Sequence, residues 1–497
     1  MNKSILILIW ALLLFPFISN GQACLKPKTN YPVQSDPVFL TTTDLNNDGK
    51  TDLAVTNQAS NSLSILLGNG TGSFSAATNF TVNTYPAGIT SGDFNIDGNS
   101  DLAISIAASS QIAILLGNGM GGFLSTNHFS LVPGSGPIGI SSSDFNNDGK
   151  LDLATANIGG DNVSIVFGDG LGNFSSPIDY TVGTTAMVKP SCIIVADVNN
   201  DSKSDLITTT QYCGISILLG NGLGSFSSST NFNAGNYPIS VTSGDFNLDG
   251  KIDLATANVG EANLSVLLGD GSGNFSAPTT FSTGLYPNSI LNCDFNSDGS
   301  LDLVTANGSD DISVLIGNNT GSFNPPSNFS VGGHPIAIVT SDFDGDSKPD
   351  FAVTNYIPNN VSVLLSNTAP IPTITTISTS TLICAGETAT LSASGASSYI
   401  WSTTQATSTI IISPTITTTY VVIGTAANGC INFSLLTQSV SACVGINELS
   451  FIASEITIFP NPNNGQFTIK STQNFNLNII NQMCIRDRAR NIPSGNY

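Results

Sequence analysis

A nine-residue acidic motif recurs seven times in this 497-residue chain, and this repeat constrains the fold more than any other feature. The first copy, DLNNDGKTD, begins at Asp44, the last begins at Asp342, and successive copies start 48 to 53 residues apart. Each copy is followed by an apolar segment such as DLATAN, an alternating segment such as NVSIVFG, a GxGxF turn and a further extended segment. Four short strands per repeat, without helices, predict an all-β chain built from β-propeller blades.

The two ends of the repeat region predict how the ring closes. Six repeats contain a GxGxF-type turn, whereas the seventh stops at VSVLLSNTAP before its final strand. The segment NYPVQSDPVFL, which precedes the first motif, aligns with NFTVNTYPAGI of the following repeat. We therefore expect a seven-bladed propeller over residues 26–367, in which the N-terminal strand completes the last blade and leaves no open sheet edge.

Oxygen-bearing side chains occupy positions one, three, five and nine of every motif. Calcium takes six to eight oxygen ligands, and alternate residues of a tight loop can point inward while position seven offers its carbonyl. Glycine at position six permits the sharp turn in five motifs, and Ser202 and Ser347 replace it in the other two. The motifs predict up to seven bound Ca²⁺ ions. The predicted ligands are Asp44, Asn46, Asp48, Asp52, Asp93, Asn95, Asp97, Asp101, Asp144, Asn146, Asp148, Asp152, Asp197, Asn199, Asp201, Asp205, Asp245, Asn247, Asp249, Asp253, Asp294, Asn296, Asp298, Asp302, Asp342, Asp344, Asp346 and Asp350.

Two other interpretations of the motif fit less well. An EF-hand needs a bidentate Glu at position twelve and flanking helices, but this chain has Val55, Ile104 and Thr155 there, between strand-like segments. Simple Asp-Asn-Gly turns would not place oxygen donors at the same four positions in seven copies. The motifs also hold 22 of the 34 acidic residues, so the net charge of −21 belongs mainly to the predicted cation sites. This acidity excludes nucleic acid and anionic membranes as partners.

The repeated DFNxDGxxDL, followed by xVSVLLGNGxGxF, resembles the FG-GAP or VCBS-type repeats of bacterial surface proteins and, more distantly, integrin α-subunit propellers. The resemblance covers nearly 70% of the chain. It implies calcium ligation by the aspartates and asparagines of the motifs, and a role in adhesion, carbohydrate contact or as an accessory domain. It does not identify a ligand, since one fold carries many functions.

The N-terminal sequence indicates export. Residues 1–22 combine a basic start at Lys3, an apolar run and small residues, which is the pattern of a signal peptide cleaved near Gly21 or Gln22. The apolar run is shorter than the ~20 residues of a spanning helix, and we expect no transmembrane segment after signal removal. Export permits disulfides, and Cys384 with Cys430 is the predicted pair.

The region after the repeats predicts two further domains. Residues 368–376 form a Pro- and Thr-rich linker, and residues 377–443 resemble a small immunoglobulin- or PKD-like β-sandwich with Trp401 in its core. ITIFPNPNNGQFTIKS, within residues 444–497, resembles the C-terminal sorting domain of type IX secretion substrates. We interpret this domain as truncated, with an assembly scar near residues 483–490, where all three arginines of the chain stand.

These features predict a secreted protein on the outer-membrane exterior that engages the type IX secretion machinery. We expect a calcium-binding adhesion or ligand-binding module for an extracellular glycan or protein, with a structural spacer or accessory envelope domain as the alternative. A polysaccharide-active enzyme is a weaker third hypothesis, because His128 and His334 are the only histidines and no catalytic motif surrounds them. We therefore predict that the chain is not an enzyme.

Overall fold

The computed structural model describes residues 24–183, 188–212, 214–367, 372–427, 430–442, 456–459 and 468–471. Every regular element in these ranges is a β-strand, so the all-β prediction is confirmed. The chain divides into two compact units, one extending to residue 371 and including Cys430, the other starting at Pro372. The predicted signal peptide, residues 368–371 of the linker, and most of the sorting domain with its suggested scar lie outside the described residues. No helix in the described ranges is long and apolar enough to cross a membrane.

The first unit contains seven four-stranded antiparallel sheets. Strands are numbered in chain order along the whole protein. The fourth strands are β1 Thr29–Pro32, which belongs to the seventh sheet, and β5 Thr78–Thr81, β9 Phe123–Ser130, β13 Ile178–Thr181, β17 Thr230–Phe232, β21 Thr279–Ser282 and β25 Ser327–Ser330. The first strands are β2 Pro37–Thr43, β6 Pro86–Gly92, β10 Pro137–Ser143, β14 Pro190–Ala196, β18 Pro238–Gly244, β22 Pro287–Cys293 and β26 Gly333–Ser341.

The second and third strands form the middle of each sheet. The second strands are β3 Asp52–Asn57, β7 Asp101–Ile106, β11 Asp152–Asn157, β15 Asp205–Thr210, β19 Asp253–Asn258, β23 Asp302–Asn307 and β27 Asp350–Ile357. The third strands are β4 Ser62–Leu66, β8 Gln111–Gly117, β12 Asn162–Val166, β16 Gly214–Leu218, β20 Asn263–Leu267, β24 Asp311–Leu315 and β28 Asn360–Leu364.

The middle strands are buried on both faces because neighbouring sheets pack against each other. Every residue of β3, from Asp52 to Asn57, is buried. Burial on both faces explains why apolar or small residues fill most of this strand instead of alternating with exposed polar ones. Leu63 and Ile65 of the first sheet share a core cluster with Ile104 of the second. Each fully buried Leu or Ile side chain contributes about 1.5–3 kcal/mol to the free energy of unfolding.

The seven sheets follow one another in a closed order. Each first strand contacts the first strand of the next sheet, and β2 of the first sheet contacts β26 of the seventh. The repeated sheets thus form a β-propeller-like arrangement in which the first strands are the innermost.

The N-terminal strand completes the seventh sheet, as the sequence predicts. β1 pairs antiparallel with β28, with Thr29 opposite Val363 and Tyr31 opposite Val361. A residue just before this strand, Lys26, donates its backbone N–H to the carbonyl of Leu365 at 2.7 Å. The edge of β28 is therefore paired with the other end of the repeat region.

The second unit consists of two sheets around one core and a separate hairpin. Trp401, Leu391 and Val422 are fully buried between the sheets, and Trp401 Nε1 donates to the carbonyl of Thr407 at 2.9 Å. Its first strand starts at Thr375, within the stretch predicted as a linker. One sheet contains β29 Thr375–Ser378, β31 Ala389–Ser394 and β33 Thr409–Ile412; the other contains β30 Leu382–Cys384, β32 Ser398–Trp401, β34 Thr418–Thr425 and β35 Ile431–Ser441; the hairpin is β36 Ile456–Phe459 with β37 Thr468–Ser471.

The predicted disulfide between Cys384 and Cys430 is wrong. Cys430 forms a disulfide with Cys24, with Cα atoms 5.3 Å apart across a separation of 406 residues. The backbone carbonyl of Cys24 accepts a hydrogen bond from the N–H of Asn367, so Cys24 lies at the end of the seventh sheet, and Cys430 groups with this first unit. Proximity in sequence favoured the wrong partner because the tertiary fold, rather than the chain, brings Cys24 to Cys430. Cys384 is disulfide-bonded as well.

Candidate metal centres

All of the predicted ligand residues lie in the described part of the chain, in loops of one backbone shape. Each motif joins the first strand of its sheet to the second, so that position nine is the first residue of the second strand. Positions four and six have positive φ in all seven loops. Glycine at position six has φ of 76° to 85°, and Ser202 and Ser347 adopt 62° and 65° at the same place. The two serine-containing loops therefore keep the sharp turn, although left-handed φ costs serine more than glycine.

The loop's own N–H groups hold the side chains of positions one and three over the turn. In the first loop, the N–H of Gly49 donates to Asp44 Oδ2 at 2.7 Å, and the N–H of Asp48 donates to Asn46 Oδ1 at 3.1 Å. The first aspartate accepts the same bond in the two serine-containing loops, at 2.7 and 2.8 Å. These bonds gather carboxylate and amide oxygens above the backbone, and those oxygens retain further lone pairs for a cation.

The aspartate at position nine has a second task, which the sequence analysis missed. Asp253 is fully buried, and its two carboxylate oxygens accept N–H bonds from Phe246 at 2.9 Å and Gly269 at 2.8 Å. The equivalent pair of bonds occurs in the other six loops. This carboxylate therefore ties the loop to the GxGxF turn or its equivalent. The sequence feature that could have indicated this role is the position of the aspartate directly before an apolar run.

The position-nine carboxylate is buried, and its negative charge is unfavourable there without a positively charged partner. Loss of water around the carboxylate raises the pKa of Asp302 to about 7 and the pKa of Asp101 to about 6, against the lowering effect of their N–H bonds. The carboxylates at positions five and one of the same loop raise these pKa values further. A divalent cation held among these oxygens would favour the ionised form, since a bound ion is the largest local charge in such a site.

The seventh loop brings its carboxylates closest together. Single oxygens of Asp342, Asp344 and Asp350 all lie within 4.8 Å of one another, and this is the one such acidic group in the described ranges. Asp344 Oδ1 and Asp346 Oδ2 are buried and have no hydrogen-bond partner. Buried, unpartnered carboxylate oxygens are costly, so this donor set fits a hard cation. The other Asp344 oxygen, Oδ2, contacts the ammonium of Lys26 at 2.8 Å.

In the other six loops, the carboxylate oxygens are less closely grouped than in the seventh. They carry Asn instead of Asp at position three, and their three carboxylates do not all come within 4.8 Å of one another. In four of them, the lysine at position seven contacts the exposed position-five carboxylate at 3.1 to 3.6 Å, as Lys203 does with Asp201. Such exposed pairs contribute little, and a divalent ion could displace the lysine.

Neighbouring sheets support the loops, which the sequence analysis also missed. The N–H of Gly121, in the turn of the second sheet, donates to the carbonyl of Leu45 in the first loop at 2.9 Å. Gly72 of the first sheet donates in the same way to Phe343 of the seventh loop at 2.7 Å. In the sequence, the GxGxF turn marks one side of this contact. The loop that it contacts could not be predicted, because the contact depends on the packing of neighbouring sheets.

The solved structures that match with a TM-score above 0.5 show similarity at the level of the fold. The structure of BBS1N in complex with ARL6DN, from a mercury-soaked crystal, matches with a TM-score of 0.51 and 13% identity, covering 70% of this chain and 99% of that chain. A putative 6-phosphogluconolactonase from Bacteroides fragilis matches with a TM-score of 0.47 and 16% identity, covering 61% and 86%. No curated protein matches the sequence.

A family model matches the repeats directly. The FG-GAP-like repeat matches residues 44–104, 97–155, 144–208, 197–256 and 294–353, which together make up more than half of the chain. Each match contains at least one complete acidic loop and the start of the strand that follows it. The chain belongs to the FG-GAP-like repeat family.

Proposed function

We propose that this protein is an exported, cell-surface binding module whose FG-GAP-like repeats form a seven-bladed β-propeller stabilised by calcium. The seven sheets in closed order support the blade number, with β1 completing the sheet that contains β28. The N-terminal sequence supports export, and the FPNPNNG segment supports type IX sorting to the outer-membrane exterior. We further propose that the second unit is an immunoglobulin- or PKD-like sandwich, which its two sheets around Trp401 support.

The seventh loop carries the calcium proposal. Three aspartates from this one loop place oxygens within 4.8 Å of one another, and two carboxylate oxygens of the loop, Asp344 Oδ1 and Asp346 Oδ2, are buried without a hydrogen-bond partner. The side chains of positions one, three, five and nine would hold the ion, together with the backbone carbonyl of position seven. Bound calcium would supply the positive charge that these oxygens lack. The common backbone of all seven loops extends the proposal to up to seven ions.

We propose binding rather than catalysis as the activity. The aspartates of the loops are engaged in hydrogen bonds that shape the loops themselves, as with Asp44 and Asp253. Such carboxylates suit a structural cation better than general acid–base chemistry. The ligand of the module would be an extracellular glycan or protein.

Calcium titration of the metal-free, full mature chain tests the structural part. Extracellular sites bind with dissociation constants of about 0.1–1 mM. At ~1 mM free calcium and ~0.1 mM affinity, each site adds about 1.4 kcal/mol, and seven would add on the order of 10 kcal/mol. We expect about seven ions and a large rise in Tm. An unchanged Tm in excess chelator, with no ions bound, would contradict the proposal.

Ligand arrays test the binding part. Saturable binding of the calcium-loaded chain to glycans or proteins, lost on chelation, would support a binding module. A chain that binds seven calcium ions but no ligand across both arrays would instead be a structural spacer, and turnover of a polysaccharide would indicate an enzyme.

A further inference from the structure

The residues at the start of the first strands, or directly before it, form a second repeated feature, at the end of the sheets away from the acidic loops. In every sheet this residue stands directly before a proline: Asp36, Tyr85, Gly136, Lys189, Tyr237, Tyr286 and His334. A first strand of seven residues spans about 20 Å or more, and the acidic loop begins at its other end. The first strands are the innermost, so these residues surround the central opening of the sheet ring.

All seven of these residues have positive φ, between 51° and 64°. The backbone is fixed at both sides: the N–H of Tyr85 donates to Asn61 Oδ1 at 3.0 Å, and its carbonyl accepts from Ala107 at 3.2 Å. Left-handed φ is unfavourable for a bulky side chain and the following proline adds crowding, whereas Gly136 meets the same geometry without that cost. Three sheets nevertheless carry Tyr at this place and one carries His. Strained positions cluster at binding and active sites, so these side chains are candidates for contact with a ligand.

Aromatic residues at this end of the sheets are exposed or half-buried, and two pairs of their rings are in contact. Tyr85, Tyr212 and Tyr286 expose 49%, 62% and 58% of their surface. Tyr212 meets Tyr237 edge to face with ring centroids 5.7 Å apart, and His334 meets Tyr356 at 5.9 Å. We call these six residues, Tyr85, Tyr212, Tyr237, Tyr286, His334 and Tyr356, the tyrosine surface.

Polar groups of both charges lie between the rings. The hydroxyl of Tyr356 donates to Asp36 Oδ2 at 3.0 Å, and this bond, with a smaller effect of Tyr85, raises the pKa of Tyr356. The ammonium of Lys189 lies 5.9 Å from the centre of the Tyr212 ring. The N–H of His334 donates to Asp310 Oδ1 at 2.8 Å. The surface therefore offers flat apolar faces and hydroxyl, carboxylate and ammonium groups, without one dominant sign of charge.

Gly308 packs closely against two of the aromatic residues. A Cβ atom placed on Gly308 would lie 3.1 Å from Tyr286 Cβ, closer than side-chain carbons normally approach, and 3.6 Å from Asn288 Nδ2 and His334 Cε1. A side chain at this position would therefore displace Tyr286 or His334.

We propose that the tyrosine surface binds a neutral oligosaccharide, with sugar rings stacked on the tyrosines and sugar hydroxyls bonded to the polar groups between them. Exposed tyrosines combine an apolar face with a polar edge, which matches a sugar ring. Among the described residues, the surface carries one ammonium, that of Lys189, beside the carboxylates of Asp36 and Asp310, which disfavours polyanionic glycans and nucleic acids, whose stacking on aromatic residues needs a basic groove. This inference rests on the proposed function and names the ligand class and the site.

Affinity electrophoresis of the full calcium-loaded chain tests the inference. The gels contain hydroxyethylcellulose, xylan or galactomannan as neutral polysaccharides, and alginate as an anionic one. We expect retardation by at least one neutral polysaccharide. Retardation by alginate alone, or by none of the four, would overturn the inference.

The double variant Tyr85→Asn/Tyr286→Asn separates binding from folding. Asn tolerates positive φ better than Tyr, so Tm should stay unchanged or rise while the dissociation constant increases at least tenfold. Gly308→Ala, whose Cβ would crowd Tyr286 and His334, should weaken binding with both tyrosines present, and its Tm is compared with that of the wild type to separate this effect from a loss of folding. Leu223→Ala is the matched control, because Leu223 is 78% exposed in a GxGxF turn beside the acidic loops and should leave binding unchanged.

Failure of this inference can be told apart from failure of the proposed function. If the double variant retains the polysaccharide affinity of the wild type, or if the chain binds only proteins on an array, the tyrosine surface is not the glycan site but the module still binds a ligand. If neither polysaccharide nor protein binds in calcium, both proposals fail.

Discussion

The hydroxyl of Ser362 donates a 2.7 Å hydrogen bond to Oδ1 of Asn30, a residue 332 positions earlier in the chain. Ser362 itself accepts from the buried Asn355 amide at 2.8 Å, so the bond extends a polar network of the seventh sheet onto β1. The same pattern occurs in the first sheet, where Ser64 donates to Asn79 at 2.7 Å within contiguous chain. The N-terminal strand is thus attached by the contacts that attach an ordinary fourth strand.

Asn30→Ala should therefore destabilise the protein as much as its counterpart in an ordinary sheet. Each variant removes one acceptor of a part-buried hydroxyl, and we expect a loss of about 1 kcal/mol in the free energy of unfolding. Denaturant unfolding in calcium measures both, with Asn79→Ala as the matched control. A neutral Asn30→Ala beside a destabilising Asn79→Ala would show that β1 does not close the ring.

Variants at positions nine and five of one loop should distinguish the stability that comes from hydrogen bonds within the protein from the stability that comes from bound calcium. Asp253→Ala leaves the buried N–H groups of Phe246 and Gly269 without their acceptor, at a cost of about 1–3 kcal/mol each. We expect this loss in chelator as well as in calcium. Asp249→Ala removes an exposed carboxylate and should destabilise only when calcium is present. Thermal melts of both variants, with and without chelator, check the difference. Equal behaviour in chelator would contradict the structural role of position nine.

The seventh loop should bind calcium more tightly than the loops with Asn at position three. Asp344→Asn imitates the other loops, removes one carboxylate from the group of three and removes the partner of Lys26. We expect calcium affinity at one site to fall about tenfold, ~1.4 kcal/mol, because affinity follows the number of charged ligands. Calorimetric titration measures this, and Asn46→Asp in the first loop is the reciprocal variant, expected to gain affinity. An unchanged titration for both would show that the charge at position three does not set calcium affinity.

The disulfide between Cys24 and Cys430 should contribute substantially to stability. It closes a loop of more than 400 residues, and removal of a native disulfide typically costs about 2–5 kcal/mol. Cys24→Ala/Cys430→Ala should lower Tm, whereas Cys192→Ala, at a free thiol, tests the effect of losing a cysteine alone. Peptide mapping without reductant should recover the Cys24–Cys430 link. Recovery of a Cys384–Cys430 link would refute the assignment.

Much of the fold could be predicted because each repeat contains the residues that determine its own strands and turns. The apolar run after Asp52 predicts a buried strand, and the missing last strand of the seventh repeat predicts its replacement by residues near Tyr31. Glycine at position six predicts a left-handed turn in five loops, and the structure shows that Ser202 and Ser347 adopt it as well. Each of these features follows from the residues of one repeat and their immediate neighbours.

The candidate metal centres were predicted as a set but not individually. The sequence treats Asn46 and Asp344 as equivalent donors, whereas only the seventh loop brings three carboxylates within 4.8 Å. Lys26 contacts Asp344, which lies 318 positions away in the sequence, and no local sequence pattern predicts this contact.

By itself, the sequence determined the strand order within each sheet, the positions of the acidic loops and the identity of the closing strand, since these depend on residue patterns repeated about every 50 positions. Only the tertiary structure decided that Cys430 pairs with Cys24, that the position-nine aspartates are buried anchors, and that the rings of Tyr212 and Tyr237, from neighbouring sheets, are in contact. The physical reason is that these relationships join residues from different repeats or from distant chain ends. Their proximity arises from the packing of sheets around the ring rather than from spacing along the chain.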